Sequence, residues 1–103
     1  MDAQVKTKIE ELLNSNKVVL FMKGTPSFPM CGFSASAIAI LKECQTDFEG
    51  VNILEDEELR QGIKEYGNWP TIPQLYVNKE LVGGSDIMME MFEAGELQEV
   101  LKK

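Results

Sequence analysis

Cys31 and Ser34 delimit the stretch of this chain that is best suited to chemistry, Cys31-Gly32-Phe33-Ser34. The cysteine stands where a helix is expected to begin, and the free N–H groups and positive dipole end of a helix lower the pKa of a thiol placed there. A dithiol redox motif would carry its second cysteine at position 34. Cys31 therefore needs a second sulfur from a soluble thiol or a substrate protein, or it binds a metal centre that it shares with other ligands.

Two cations are candidates for holding an anionic ligand near this thiol. Lys23 follows an apolar run that predicts a buried strand, and ligands of open α/β sheets bind at the carboxyl ends of strands. A cation there would stabilise a thiolate or hold a carboxylate, and a solvated lysine is the alternative. Arg60 lies on a charged helical stretch and could hold a carboxylate with its forked guanidinium, although a solvent-facing role is more usual for such an arginine.

Two further segments suit a peptide-like ligand. In Trp69-Pro70-Thr71-Ile72-Pro73 the prolines predict a rigid loop, and a cis bond before Pro73 would turn the backbone groups of Ile72 outward to pair with an extended peptide. In Gly83-Gly84-Ser85-Asp86 the glycines allow close backbone approach, and the following helix start offers N–H groups to a carboxylate. A plain rigid turn and an ordinary N-cap at Ser85 or Asp86 are the alternative interpretations.

The composition excludes several classes of protein. The 103 residues are 44% hydrophobic, which indicates one globular domain. Ten basic against seventeen acidic residues give a net charge of −7, which disfavours nucleic acid and anionic membranes as partners. The chain has no histidine, so Cys-His pairs, Ser-His-Asp triads and zinc sites that need an imidazole are excluded.

Cys44 is expected to stay apart from Cys31. One helix between them would separate the two by roughly 20 Å, whereas a disulfide needs α-carbons within about 7 Å. We therefore expect a reducing compartment, the cytoplasm, or an organelle stroma or matrix if a transit peptide was removed. Cys44 is interpreted as a packing residue, as are the methionines at positions 88, 89 and 91.

Apolar spacing predicts the elements that position these residues. The predicted helices are 2–14, 31–42, 56–66 and a last one that starts at Ser85 or Asp86, is divided at Gly95 and ends near 103. The predicted strands are 18–22, about 48–54, 74–77 and 80–82, the last two joined by a turn at 78–79. The strand–helix–strand order favours a parallel pair with a right-handed crossover. The fold class is therefore α/β, with helices around a small mixed sheet.

The four segments above, taken in order and spacing, resemble the monothiol glutaredoxins of the CGFS class. They are Lys23, CGFS at 31–34, WPTIP at 69–73 and GGSD at 83–86. The resemblance spans essentially the whole chain and implies a single glutaredoxin domain over residues 1–103. It implies the thioredoxin-like (glutaredoxin) fold, in which a small mixed four-stranded sheet is flanked by helices.

The same resemblance implies that the chain binds glutathione. Lys23 and Arg60 would hold its glycine carboxylate, and Ile72 would pair through its backbone with the glutathione cysteine. Ser85 and Asp86 would bind the γ-glutamyl end at the start of the last helix.

Cys31 is implied to be both the redox thiol and the ligand of a [2Fe-2S] cluster bridged between two protomers. Such a centre takes four thiolates, which two chains and two glutathiones supply. A cluster held partly by exchangeable small molecules should be labile, as suits a carrier. The implied partners are BolA-like proteins and apo iron–sulfur proteins.

Two further features bear on the activity that the resemblance implies. The seven residues from 24 to 30 make a longer connection to Cys31 than dithiol glutaredoxins have, and this accompanies weak oxidoreductase activity. Ser85 stands where some relatives carry a cysteine that pairs with the active thiol.

Three functions are open at this point. The leading hypothesis is a glutathione-dependent [2Fe-2S] binding and transfer protein. The second is an oxidoreductase in which Cys31 removes glutathione from protein mixed disulfides. The third is a thioredoxin-like interaction module that uses the 69–73 loop to bind proteins.

Overall fold

The computed structural model describes residues 1–103 as one four-stranded sheet with helices on both faces. The helices are α1 Ala3–Ser15, α2 Gly32–Glu43, α3 Glu57–Tyr66, α4 Ser85–Glu93 and α5 Glu96–Lys102. The strands are β1 Val18–Met22, β2 Glu49–Asn52, β3 Gln74–Val77 and β4 Glu80–Gly83. None of the helices combines the length and apolar character needed to cross a membrane.

The sheet has the order β2-β1-β3-β4. β1 runs parallel to β2 and antiparallel to β3, and β3 and β4 form an antiparallel hairpin. All five residues of β1 are buried, as expected for a continuous apolar run in a central strand. The expected α/β fold with a small mixed sheet is confirmed.

Alternation along the strands divides the interior into two cores. Val18, Leu20 and Met22 face α2, α4 and α5, whereas Val19 and Phe21 face α1 and α3. Because both faces are covered, the end of β1 is held rigidly where Lys23 leaves the sheet and α2 begins nearby.

The second strand is shorter than its apolar residues predict. β2 ends at Asn52, and Ile53–Glu55 form a turn of 3₁₀-helix. The side chain of Asn52 causes this change of direction, since its Oδ1 accepts hydrogen bonds from the N–H groups of Gly24 and Leu54 at 2.9 and 3.0 Å. Ile53 enters the core, while Leu54 stays 44% exposed.

The last helical region begins and divides through glycine. Gly84 is the N-cap of α4 and provides no side-chain hydrogen bond, so neither Ser85 nor Asp86 is the cap. Gly95 separates α4 from α5 with a φ of 77°, a left-handed conformation that glycine adopts without a steric penalty. The predicted division at Gly95 is confirmed.

Candidate functional site

Cys31 is the N-cap residue of α2. Its Sγ accepts a hydrogen bond from the backbone N–H of Ser34 at 3.3 Å and lies 3.3 Å from Ser34 Oγ. The thiol is partly exposed and forms no disulfide. The expectation that this sulfur stands at a helix start is confirmed.

Ser34 links the thiol to the end of β1. Its side chain is fully buried, and its Oγ accepts a hydrogen bond from the N–H of Lys23 at 3.0 Å. A hydroxyl has one proton to donate, and with Lys23 as its donor the Ser34 proton is free to point at a thiolate on Cys31. The residue that replaces a second cysteine is therefore a fixed hydrogen-bond donor to the first.

The environment of Cys31 favours the thiolate. Partial burial raises the pKa of the thiol, but hydrogen bonds from the Ser34 hydroxyl and from the N–H groups of Ser34 and Phe33 lower it. The positive charge of Lys23 acts in the same direction, and the pKa of Cys31 is lowered overall. The deprotonated sulfur is the form that attacks disulfides and binds metals.

We expect Ser34→Ala to raise the pKa of Cys31, because the hydroxyl that stabilises the thiolate is lost. Its alkylation by iodoacetamide should become slower at neutral pH, with the inflection of the rate–pH profile moved to higher pH. The Lys23 N–H loses its buried partner as well, which should cost about 1–3 kcal/mol of unfolding free energy. Ser36→Ala, an exposed substitution on the same helix, is the control. An unchanged alkylation profile in Ser34→Ala would contradict the role given to the hydroxyl.

The segment between β1 and Cys31 is held by its own backbone. Thr25 and Phe28 exchange N–H and C=O hydrogen bonds, and Met30 N–H donates to Lys23 O at 2.8 Å. Gly24 has a φ of 90°, and a Cβ there would lie 2.3 Å from Phe28 O. This tight loop leaves Phe28 78% and Met30 69% exposed, next to Phe33 at 63%. We call these three exposed apolar side chains, all within three positions of Cys31 in the sequence, the apolar rim.

A groove of about 410 Å³ lies beside this rim. It is bounded by the end of β1, by α3, by the loop before β3 and by the start of α4. All five residues expected to bind glutathione line it: Lys23, Arg60, Ile72, Ser85 and Asp86. Cys31 is not part of the lining, but its neighbour Phe33 is. Folding therefore brings together residues that are up to 63 positions apart in the sequence.

Three cations line the groove, Lys23, Arg60 and Lys64. Arg60 is held by a single long ion pair, 3.8 Å from Nη1 to Glu57 Oε2, and its Nε is buried without a hydrogen-bond partner. Lys64 was not predicted as a site residue, although its spacing of four from Arg60 places both on one face of a helix. These cations are suited to binding a carboxylate.

The loop before β3 contributes unpaired backbone groups to the groove. The Ile72–Pro73 peptide bond is cis, as expected. Neither the N–H nor the C=O of Ile72 forms a backbone hydrogen bond within the chain. Trp69 and Thr71 also line this wall, and they were predicted only as parts of a rigid loop.

The N-terminus of α4 also lines the groove. Ser85 and Asp86 occupy its first turn, and no side chain caps its free N–H groups. Such a helix start favours a carboxylate, while the Asp86 side chain can accept hydrogen bonds from an ammonium group. The lining of the groove thus combines cations, unpaired backbone groups and a helix N-terminus.

One chain does not bring together a complete set of metal ligands. No group of three or more Cys, Asp or Glu side chains converges anywhere in the structure.

Comparison with known proteins agrees with this geometry. The glutaredoxin family model matches residues 18–82. The chain is 61% identical over 100 residues to monothiol glutaredoxin-S14, chloroplastic, of Arabidopsis thaliana, covering 97% of this chain and 58% of that relative. The chain belongs to the monothiol glutaredoxins.

Solved glutaredoxin structures share the fold. The solution structure of reduced poplar apo GrxS14 is 55% identical and superposes with a TM-score of 0.86, covering 95% of this chain and 90% of that one. A buckwheat glutaredoxin–glutathione complex is 20% identical with a TM-score of 0.85, covering 99% and 94%. The glutaredoxin fold expected from the sequence is confirmed, and the single thiol at Cys31 agrees with the monothiol class.

Proposed function

We propose that this monothiol glutaredoxin binds glutathione in the groove and, as two copies, holds a labile [2Fe-2S] cluster for iron–sulfur cluster assembly and transfer. One observation carries the proposal. A single thiol with a lowered pKa stands beside a groove whose charges complement those of a tripeptide with two carboxylates and one ammonium group.

Each part of glutathione has a matching part of the groove. Lys23 and Arg60 would bind the glycine carboxylate through charge-assisted hydrogen bonds. The free N–H and C=O of Ile72 would pair with the backbone of the glutathione cysteine, as in an added strand. The γ-glutamyl carboxylate would lie at the start of α4 near Ser85, with its ammonium group at Asp86. Buckwheat glutaredoxin, which shares the fold, was solved as a complex with glutathione, and this supports glutathione as the ligand.

Counting sulfurs supports a shared cluster. Four thiolates hold a [2Fe-2S] centre, and ligands must be deprotonated. Cys31 has a lowered pKa, whereas burial raises the pKa of Cys44, which caps the opposite end of α2. One thiolate per chain and one per glutathione make four when two copies meet. Because two of its ligands are exchangeable glutathione molecules, such a cluster can be transferred to another protein.

The apolar rim supports a protein contact at the same place. Phe28, Met30 and Phe33, all within three positions of Cys31 in the sequence, expose apolar surface that a monomer leaves in water. A second copy of the chain would cover this rim in the cluster-bound homodimer. A BolA-like protein or an apo iron–sulfur protein would approach Cys31 over the same rim.

Anaerobic reconstitution with iron, sulfide and glutathione tests this proposal. We expect visible absorbance of a [2Fe-2S] centre, a dimer on size exclusion, and loss of both when glutathione is omitted. Absence of colour, or equal colour without glutathione, would contradict it.

A second function is favoured by the same lowered pKa. The Cys31 thiolate would attack the glutathione sulfur of a protein mixed disulfide, form a Cys31–glutathione disulfide and release the protein thiolate. A second glutathione thiolate would then attack that disulfide, giving oxidised glutathione and the free Cys31 thiolate. A steady-state assay with a glutathionylated protein decides between the two functions. Turnover near that of a dithiol glutaredoxin would make the oxidoreductase the leading function instead of the cluster carrier.

We also propose a reducing compartment, because both cysteines are free and a low-pKa thiol is readily oxidised. The cytoplasm and an organelle stroma or matrix both meet this condition, and the relative from Arabidopsis thaliana is named as chloroplastic.

A further inference from the structure

Gln74 is a fully buried polar residue at the first position of β3. Its Nε2 donates hydrogen bonds to two carbonyl oxygens of the preceding loop, Trp69 O at 3.0 Å and Thr71 O at 3.3 Å. Its Oε1 accepts from the hydroxyl of Tyr76 at 3.1 Å. Both amide protons are thus committed to the loop that forms one wall of the groove.

Little else in the backbone holds this wall. The last backbone hydrogen bond before β3 is donated by Trp69 N–H to Lys64 O at 3.0 Å, and residues 70–72 form none. Pro70 has no N–H to donate. The two bonds from Gln74 are therefore the hydrogen bonds that fix the peptide planes of this stretch.

The second of these bonds also sets the direction of Ile72. The Thr71 carbonyl and the Ile72 N–H belong to one peptide unit, which is planar and trans, so the two groups point in opposite directions. Because the buried Gln74 holds Thr71 O, the Ile72 N–H points away from the Gln74 side chain, and both Thr71 and Ile72 line the groove.

The amide of Gln74 is itself enclosed. Tyr76 donates to Oε1, the side away from the loop, and burial raises the pKa of Tyr76 to about 12, so its hydroxyl remains a donor. A Cβ at Gly67 would lie 2.4 Å from the Tyr76 hydroxyl oxygen and 3.1 Å from Gln74 Oε1. The C-cap of α3 therefore lies against both the Tyr76 hydroxyl and the Gln74 amide.

We propose that Gln74 is a positioning residue for glutathione, acting through Trp69 and Thr71 to present the Ile72 N–H to the ligand. The inference rests on the proposed function of the groove. The inference explains why an amide side chain, which adds no apolar contact to the hydrophobic core, is buried at position 74.

Gln74→Met tests this inference, because methionine has a similar shape and no donor. We expect glutathione binding, measured by titration calorimetry, to weaken about tenfold or more. The variant would lose the hydrogen bond from the Ile72 N–H to the ligand, and binding would have to order the loop at a cost in free energy. Trp69 is the only tryptophan, so its fluorescence reports on the loop. Its emission should shift to the red and become easier to quench with acrylamide. The alkylation profile of Cys31 should not change.

Tyr76→Phe is the matched control. It removes a buried hydrogen bond from Gln74 but leaves both Nε2 contacts, so it should lower the unfolding free energy while glutathione affinity and Trp69 emission stay close to those of the wild type. Equal loss of affinity in Tyr76→Phe and Gln74→Met would overturn the inference, as would wild-type affinity in Gln74→Met. If the wild-type protein itself binds no glutathione, the proposed function is wrong, independently of any effect of Gln74→Met.

A measurement on the wild type decides the matter if Gln74→Met does not fold. The side-chain amide protons of Gln74 should exchange with solvent at least 100-fold more slowly than those of an exposed glutamine, and their NMR shifts should move when glutathione is added. Fast exchange, or shifts that ignore glutathione, would overturn the inference.

Discussion

Cys31→Ser should abolish cluster assembly: after anaerobic reconstitution with iron, sulfide and glutathione, no visible absorbance should remain and the protein should elute as a monomer. A serine hydroxyl stays protonated at neutral pH, whereas Cys31 has a lowered pKa and is the thiolate ligand that we propose each chain supplies. With only the two glutathione sulfurs left, the centre lacks half of its four ligands.

Cys44→Ser is the control for this prediction. Cys44 caps the far end of α2, and burial raises the pKa of its thiol, so it is poorly suited to be a ligand. The variant should develop the wild-type spectrum and dimer. Colour in Cys31→Ser, or loss of colour in Cys44→Ser, would show that the cluster is held differently from the proposal.

Arg60→Gln should weaken glutathione binding by roughly 10- to 100-fold, since a hydrogen bond to a charged group contributes about 1.5–3 kcal/mol. Arg60 lines the groove, its Nε has no partner, and its one ion pair to Glu57 is long, so the guanidinium is free for a ligand carboxylate. Titration calorimetry gives the affinity directly. Raising the salt concentration should weaken binding to the wild type more than to the variant.

The matched control removes a positive charge elsewhere. Lys42 is exposed in the last turn of α2, at the opposite end of that helix from Cys31, so Lys42→Gln should bind glutathione as the wild type does. Equal affinity in Arg60→Gln and the wild type would remove Arg60 from the site. Equal weakening in both variants would indicate a dependence on net charge alone.

Short-range patterns account for what could be predicted about the elements. The apolar run of β1, the charged period of α3 and the break at Gly95 each act within a few residues, and all three occur as expected. The end of β2 could not be predicted in this way. Its apolar residues continue through Leu54, but Asn52 bonds to Gly24, a partner 28 positions away, and turns the chain.

The candidate site, like the secondary structure, was predictable only where it depends on neighbouring residues. The kind of chemistry could be predicted from the residues alone, because the motif of Cys31 has no second cysteine, position 34 is a serine, and the chain has no histidine. Only some of the residues that line the groove could be predicted from the sequence. Lys64 and Trp69 line it because α3 and the loop pack there. Lys64 belongs to no motif, and Trp69 belongs to the 69–73 segment without being predicted as a glutathione-binding residue.

The sequence by itself determined that this protein carries one reactive thiol at a helix start, in a chain of alternating strands and helices, because helix caps and hydrophobic periods depend on neighbouring residues. Only the tertiary structure decided where that thiol's surroundings come from. The fold places the hydroxyl of Ser34 between the N–H of Lys23 and the sulfur of Cys31, and the amide of Gln74 reaches the loop before β3 because α3 and β3 bury it. A buried polar group must find its partners within the fold, and those partners are chosen by packing between elements that lie far apart in the chain.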